Sequence, residues 1–187
     1  MHFTTAVSAA ALSLFAISSA SPILESRATT VPAQYYLQTK VVNGDHKDTG
    51  SDKDGMYIFS YHTGAGLGDA ALIANKTDAM IGYLNGTQQL FTYPDNNIGP
   101  WPLAIVESTG NYYQAWSEAT ISIAADPVSY EGFFFNSSGL QYNGSIGGWL
   151  ACDWWLTSPQ LFNIAGFTAN VSIPNSCSKV ELLPVAV

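Results

Sequence analysis

Three tryptophans, one carboxylate and one cysteine fall within nine consecutive residues, GGWLACDWW, at positions 147–155. Alternate side chains of an extended strand point to opposite faces, so Trp149, Asp153 and Trp155 should share one face. Cys152 should lie on the other, wholly apolar face, which we expect to be the core side. Two indole rings beside a carboxylate suit the apolar face and the hydroxyl groups of a sugar. The segment therefore predicts ligand-binding residues Trp149, Asp153 and Trp155, or alternatively a covered face on which Asp153 caps a turn.

Paired carboxylates are the second chemistry that the sequence allows. Glu107, Glu118, Glu131 and Asp153 all lie in or near aromatic strand segments. Two such acids facing each other across a cleft have the residue types required for glycoside hydrolysis. The sequence gives no separation between them, and acids are common on the outer faces of strands. We therefore expect no catalytic residues and keep a glycan-active hydrolase as the alternative.

Triad, metal and nucleotide chemistry are disfavoured. Beyond the first twenty residues only His46 and His62 remain, and no G-x-S-x-G elbow accompanies them. The acidic loop NGDHKDTGSDKDG departs from a calcium-binding loop, since Gly50 and Tyr61 stand at two ligand positions. The glycines of HTGAGLGD (62–69) miss the dinucleotide-binding spacing and predict a turn that needs positive φ or close backbone approach. We expect neither a metal nor a cofactor.

Charge limits the partners. The chain carries 14 acidic and 6 basic residues, a formal net charge of −8. Phosphate binding needs clustered Lys and Arg, so nucleic acid is not an expected partner, and no basic patch suits anionic lipid. The net charge does not determine the oligomeric state.

The N-terminal region predicts secretion. Residues 1–20 contain a short apolar run that ends in small residues, as in a cleaved signal peptide. Residues 21–34 read as a flexible lead-in, and residues 35–187 as one all-β domain. No other apolar stretch approaches the length of a membrane span, so we expect an extracellular or cell-wall location.

Glycosylation sequons and cysteines support the same route. The two cysteines, Cys152 and Cys177, should form a disulfide in an oxidising compartment. Five asparagines begin N-x-S/T sequons, far more than chance would place. They are Asn75, Asn85, Asn136, Asn143 and Asn170.

Short aromatic and β-branched segments follow one another from Tyr35 onward, separated by Gly, Asn, Pro or Asp. Asn85–Gly86 predicts a tight hairpin, Ser137–Gly139 a second reversal, and Asn143–Gly144 a repeat of the first device. The pattern predicts a single-domain antiparallel β-sandwich or barrel of about twelve short strands, with a β-trefoil-like fold as the alternative.

Six stretches carry a family resemblance: SYHTGAGLGDAAL, GYLNGTQQ, GFFFNSSGLQYN, GWLACDWW, PQLF and CSKV. Through them the chain resembles an uncharacterised family of small secreted fungal proteins. It is also distantly similar to the fungal cell-wall protein of phialide development, through a hairpin followed by a tryptophan- and cysteine-containing strand. The resemblance implies an extracellular or wall location and a conidiation-linked role, and it transfers no catalytic residue.

The expectation is thus a secreted, N-glycosylated, non-enzymatic extracellular or wall-associated protein that binds wall polysaccharide or another glycan. A secreted module that engages other proteins is the remaining alternative. An exposed apolar patch away from the sequons would favour it.

Overall fold

The computed structural model describes residues 31–42, 51–95, 99–106, 115–123, 130–145, 147–153, 156–164 and 173–187. Within these ranges the chain forms twelve β-strands and one 3-10 turn at Lys76–Asp78. The strands are β1 Tyr35–Val41, β2 Tyr57–Gly64, β3 Leu67–Ile73, β4 Ile81–Asn85, β5 Gln88–Thr92, β6 Trp101–Val106, β7 Trp116–Ile121, β8 Phe133–Asn136, β9 Gly139–Tyr142, β10 Trp149–Cys152, β11 Gln160–Ile164 and β12 Cys177–Ala186.

Nine of the strands close into an antiparallel barrel. Their order is β1-β4-β5-β6-β7-β3-β11-β10-β12, and β12 pairs back to β1 over seven residue pairs. β2 bridges β1 and β3, and the β8–β9 hairpin joins β12 through the parallel pair Leu182↔Gly139. The predicted all-β class and strand number are confirmed, in the barrel form rather than the sandwich or trefoil form.

Large apolar side chains fill the main core, which the inward faces of the strands enclose. Tyr35 belongs to this core, and its hydroxyl donates a 2.6 Å hydrogen bond to Gln89 Oε1, so its polar tip is satisfied. Burial raises the pKa of Tyr35 far above its usual value. The largest fully buried apolar side chains include Trp149, Phe91, Phe133, Leu37, Ile58, Leu103 and Leu140.

The predicted turns have three different outcomes. The β4–β5 hairpin exists, but its two loop residues are Gly86 and Thr87, because Asn85 still pairs with Gln88. Gly86 has a φ of 61°, as the first position of such a loop requires. The β8–β9 reversal forms as expected. Asn143–Gly144 makes a turn but joins no hairpin, since β9 and β10 do not pair with each other and both flank β12.

The Gly-rich segment forms the β2–β3 hairpin as predicted. Gly66 has a φ of 73°. A Cβ on Gly68 would collide with Ser60 Oγ and come close to Ile121 O, so this glycine provides the close backbone approach that the segment predicts. In the described ranges no helix is long and apolar enough to cross a bilayer.

Of the predictions for the N-terminal region, the structure covers only the start of the β domain. β1 begins at Tyr35, the first residue of the predicted domain. The predicted signal at residues 1–20 and most of the lead-in at 21–34 lie outside the described residues.

Candidate functional site

The predicted ligand residues of β10 do not form an open site. Trp149 is only 1% exposed and belongs to the main core, where its Nε1 donates a 2.7 Å hydrogen bond to Leu140 O. This burial contradicts the prediction that Trp149 binds a ligand. The opposite face, with Leu150 and Cys152, is buried too, in a second apolar cluster on the outside of the barrel. Trp155 lies outside the described residues.

Asp153 is engaged by the loop that precedes β2. Its Oδ2 accepts hydrogen bonds from Lys53 Nζ at 2.8 Å and Ser51 N at 2.6 Å, and its Oδ1 accepts one from Ser51 Oγ at 2.7 Å. Burial alone would raise the pKa of Asp153, but the hydrogen bonds from Lys53 and Ser51 lower it below its usual value. Lys53 itself is 1% exposed. These contacts support the alternative in which Asp153 caps a turn.

The disulfide is confirmed. Cys152 and Cys177 are directly opposite in the β10–β12 pairing, with their Cα atoms 4.0 Å apart. The bridge belongs to the outer apolar cluster together with Leu150, Phe162 and Ile164. It therefore fastens β12 to β10 on the side away from the main core.

A different site lies where β3, β7 and β11 meet. β7 pairs with β11 through Trp116–Glu118 and then with β3 at Thr120, opposite Asp69. Gln160, the first residue of β11, pairs with Ala71 of β3. The outward side chains of three strands therefore converge at this junction.

Two carboxyl groups and an amide form the centre of this junction. Gln160 Nε2 donates to Glu118 Oε1 at 2.8 Å and to Asp69 Oδ2 at 3.3 Å. The carboxyl groups of Asp69 and Glu118 also hydrogen-bond to each other. Asp69 is 7% and Gln160 1% exposed, and Glu118 is half-buried. Gln160 Oε1 has no hydrogen-bond partner among the described residues although it is buried.

The electrostatics of the junction favour a bound proton. Burial is the main cause that raises the pKa of Asp69, and its hydrogen bond to Glu118 offsets part of the rise. Burial also raises the pKa of Glu118, and the nearby charge of Asp69 adds to it. Two close carboxyl groups in a poorly hydrated place cannot both ionise easily. The pair therefore retains a proton to a higher pH than isolated carboxyl groups would.

Aromatic rings border the carboxyl pair on β2. Tyr61 is directly opposite Asp69, and Phe59 is opposite Ala71, whose other neighbour is Gln160. The side chains of directly opposite residues share a face, so both rings stand beside the polar groups. The two rings are half-buried, with centroids 6.3 Å apart and planes at 67°. We call Phe59, Tyr61, Asp69, Glu118 and Gln160 the outer-face site.

Only one of these five residues, Glu118, was a candidate site residue on the basis of sequence. Glu118 was among the four candidate acids; Glu131 is exposed outside the site, and Glu107 lies outside the described residues. Asp69 was missed because it followed the glycines of a turn. The apolar Ala70 and Leu72 around it do indicate that Asp69 points outward. Nothing in the sequence indicates that β3, β7 and β11 meet.

The acidic loop contains no metal-binding group in its described part. Asp54 Oδ1 accepts a 2.8 Å hydrogen bond from Val41 N, and Asp52 Oδ1 accepts one from Asp54 N. Among the described residues no three His, Cys, Asp or Glu side chains are placed to hold a metal ion. His46 lies outside those residues.

Four sequon asparagines are in the described ranges, and all four are exposed at or beside turns. They are Asn75, Asn85, Asn136 and Asn143, while Asn170 lies outside those ranges.

The comparison with family models found one match. The family described as a domain of unknown function, DUF7907, matches residues 32–186. The chain belongs to this family. Neither the comparison with curated proteins nor the comparison with solved structures found a match.

Proposed function

We propose that this DUF7907 protein is an extracellular, N-glycosylated, non-enzymatic protein that binds carbohydrate at its outer-face site. The observation that carries the proposal is the position of Phe59 and Tyr61 beside Asp69, Glu118 and Gln160. The residue types are those first expected on β10, but they occur on a different face of the barrel.

The chemistry of the site suits a sugar. Half-buried aromatic rings offer apolar contact to the C–H face of a pyranose ring, while carboxyl oxygens accept hydrogen bonds from its hydroxyl groups. Because paired strands hold these groups, little side-chain freedom remains to be lost on binding.

The carboxyl pair supports binding over hydrolysis. Glycosidases separate their two carboxyl groups by roughly 5 to 10 Å, so that the sugar or a water molecule fits between them. Asp69 and Glu118 are in hydrogen-bond contact with each other. Gln160 Nε2 also bonds to both carboxyl groups, so a buried amide already lies between them, and we assign the pair to recognition.

An extracellular location is supported by the disulfide and by the exposed sequons at turns. The four strands that form the outer-face site, β2, β3, β7 and β11, contain no sequon. Glycans would therefore leave the aromatic rings of these strands accessible. The resemblance to a phialide cell-wall protein points to a polysaccharide of the fungal wall as the ligand.

The test is retention of the purified mature protein on insoluble chitin, β-glucan and whole fungal wall. Tyr61→Ala should reduce retention at least about tenfold, since one good aromatic contact contributes on the order of 1.4 kcal/mol. Tyr83→Ala, at a half-buried tyrosine on β4 outside this site, is the matched control and should be retained as strongly as wild type. Wild type that is retained by none of these materials, or equal retention of Tyr61→Ala, would reject the proposal.

Protein binding is the second candidate, and one observation favours it. Leu67 and Ile123 are 45% and 60% exposed, and Ile123 N donates to Gly66 O at the β2–β3 hairpin. These apolar side chains lie at a turn without a sequon. Failure of all three polysaccharide materials would shift the proposal to this patch.

A further inference from the structure

Phe134 is an exposed phenylalanine that the fold does not explain. It is 44% exposed, whereas its neighbours Phe133 and Phe135 face the main core from the other side of β8. Phe135 packs edge-on against Tyr35 with ring centroids 5.2 Å apart. The core contacts of β8 therefore come from Phe133 and Phe135. Only a group outside the described fold could cover the ring of Phe134.

The nearest chemistry on the same face is a sequon. Asn136 is two residues after Phe134, so the two side chains share a face about 6.6 Å apart along the strand. Asn136 Oδ1 accepts a 2.8 Å hydrogen bond from Ser138 N, which orients the amide at the hairpin tip. Its Nδ2, the atom that carries an N-linked glycan, makes no hydrogen bond within the part of the chain that the structure describes.

The same arrangement occurs at a second hairpin. Tyr83 is half-buried on β4, and the sequon residue Asn85 follows two positions later at the tip of the β4–β5 loop. The sequon at Asn75 differs both in the residue that precedes it and in the hydrogen bonding of its amide. The residue two positions before it is Ile73, and its Nδ2 donates a 2.9 Å hydrogen bond to Asp78.

We propose that the first N-acetylglucosamine of a glycan on Asn136 packs its C–H face on the ring of Phe134. A glycan on Asn85 packs on Tyr83 in the same way. The proposal rests on the N-glycosylation part of the proposed function and is independent of the outer-face site. Because the sugar is covalently attached, the contact forms within one molecule and loses no association entropy.

The packing would add a contact on the outer face of the β8–β9 hairpin, where Phe134 is exposed. The described contacts of this hairpin with the barrel lie elsewhere: Gly139 pairs with Leu182, Phe133 N donates to Thr87 O, and Leu140 O accepts from Trp149 Nε1. A sugar seated on Phe134 would restrain the hairpin tip and remove an exposed aromatic ring from water. The glycan would then be a structural component of the hairpin.

The test is a double-mutant cycle on protein secreted from a glycosylating host. The four proteins are wild type, Phe134→Ala, Ser138→Ala and the double variant. Ser138→Ala abolishes the sequon but keeps Asn136 and the backbone N–H that it binds. Mass spectrometry reports occupancy of Asn136, and the unfolding temperature reports stability.

We expect Phe134→Ala to lower the unfolding temperature by about 2 to 4 °C in the glycosylated background, the shift that an ordinary aromatic contact gives in a domain of this size. In the Ser138→Ala background the same change should have less than half that effect. Thr77→Ala removes the Asn75 sequon, where no aromatic residue precedes, and should not couple to Phe134→Ala.

Equal effects of Phe134→Ala in both backgrounds would overturn the inference, as would an unoccupied Asn136 in secreted wild-type protein. Neither result would change the retention of the protein on polysaccharide, which depends on Tyr61 at the outer-face site. Loss of that retention with intact coupling at Phe134 would reject the carbohydrate-binding site and leave the glycan packing standing.

Discussion

Asp153→Asn should destabilise the protein more than any single polar change in the loop before β2, which Asp153 contacts from the end of β10. The substitution removes the carboxylate charge that lies 2.8 Å from the Nζ of Lys53, a residue that is 1% exposed. It also weakens the bonds from Ser51 N and Ser51 Oγ. Removing one partner of a buried ion pair costs about 3 to 5 kcal/mol. The Asp153 side chain is 25% exposed, so water offsets part of the loss, and we expect about 3 kcal/mol.

Lys53→Met is the informative counterpart. It removes the buried charge together with its desolvation cost, and Asp153 keeps both hydrogen bonds from Ser51 and its access to water. We expect a cost of about 1 kcal/mol, since the carboxylate left behind is partly exposed and keeps its bonds from Ser51, so no uncompensated buried charge remains. Asp153→Asn should therefore cost at least twice as much as Lys53→Met.

Urea unfolding followed by fluorescence at pH 7 measures both values, and the m-value should stay constant. The difference should also depend on pH. The pKa of Asp153 is lowered in the folded state, so its contribution is present above the usual value near 3.8 and is lost as the pH falls through the lowered pKa. A cost below about 1 kcal/mol for Asp153→Asn, or a larger cost for Lys53→Met, would refute the assignment of Asp153 to a structural ion pair.

Three further changes test other parts of the account. Glu118→Gln should raise the free energy of unfolding at pH 7 and flatten its pH dependence in urea titrations. The raised pKa values of Asp69 and Glu118 mean that the folded state binds more protons, so wild-type stability falls as pH rises above the usual carboxyl range; an unchanged slope would contradict the shared proton. Replacing Cys152 and Cys177 together by Ser should cost about 3.5 kcal/mol, the chain-entropy value for a separation of 25 residues, and a loss under about 1 kcal/mol would contradict that estimate. Gly139→Ala should cost about 2 to 4 kcal/mol, because its φ is 87° and a Cβ would strike Leu182 O; calorimetry that shows no loss would contradict the tight β9–β12 contact.

The strands and the disulfide were predictable because their signals are local. Alternating side chains and turn residues identified β1, β2 and the β4–β5 hairpin to within a few residues. A two-cysteine chain allows only one intramolecular pair. Alternation also separated Trp149 from Cys152 correctly.

Which face of β10 is covered was not predictable. Both faces are buried, because the barrel has an apolar cluster outside as well as its main core inside. The ion pair of Lys53 and Asp153 joins residues 100 positions apart, and Asp69 meets Gln160 across 91. Such contacts depend on which strands are neighbours in the closed sheet, and side-chain periodicity carries no information about strand order.

The carbohydrate-binding proposal is tested most directly by the affinity of the outer-face site for a soluble ligand. Isothermal titration calorimetry with soluble chitin and β-glucan oligosaccharides would compare wild type, Tyr61→Ala and the control Tyr83→Ala. We expect wild type and Tyr83→Ala to bind one of these oligosaccharides equally, and Tyr61→Ala, still folded, to bind it at least about tenfold more weakly. Equal affinities for Tyr61→Ala and wild type, or no heat of binding with any of the oligosaccharides, would contradict it.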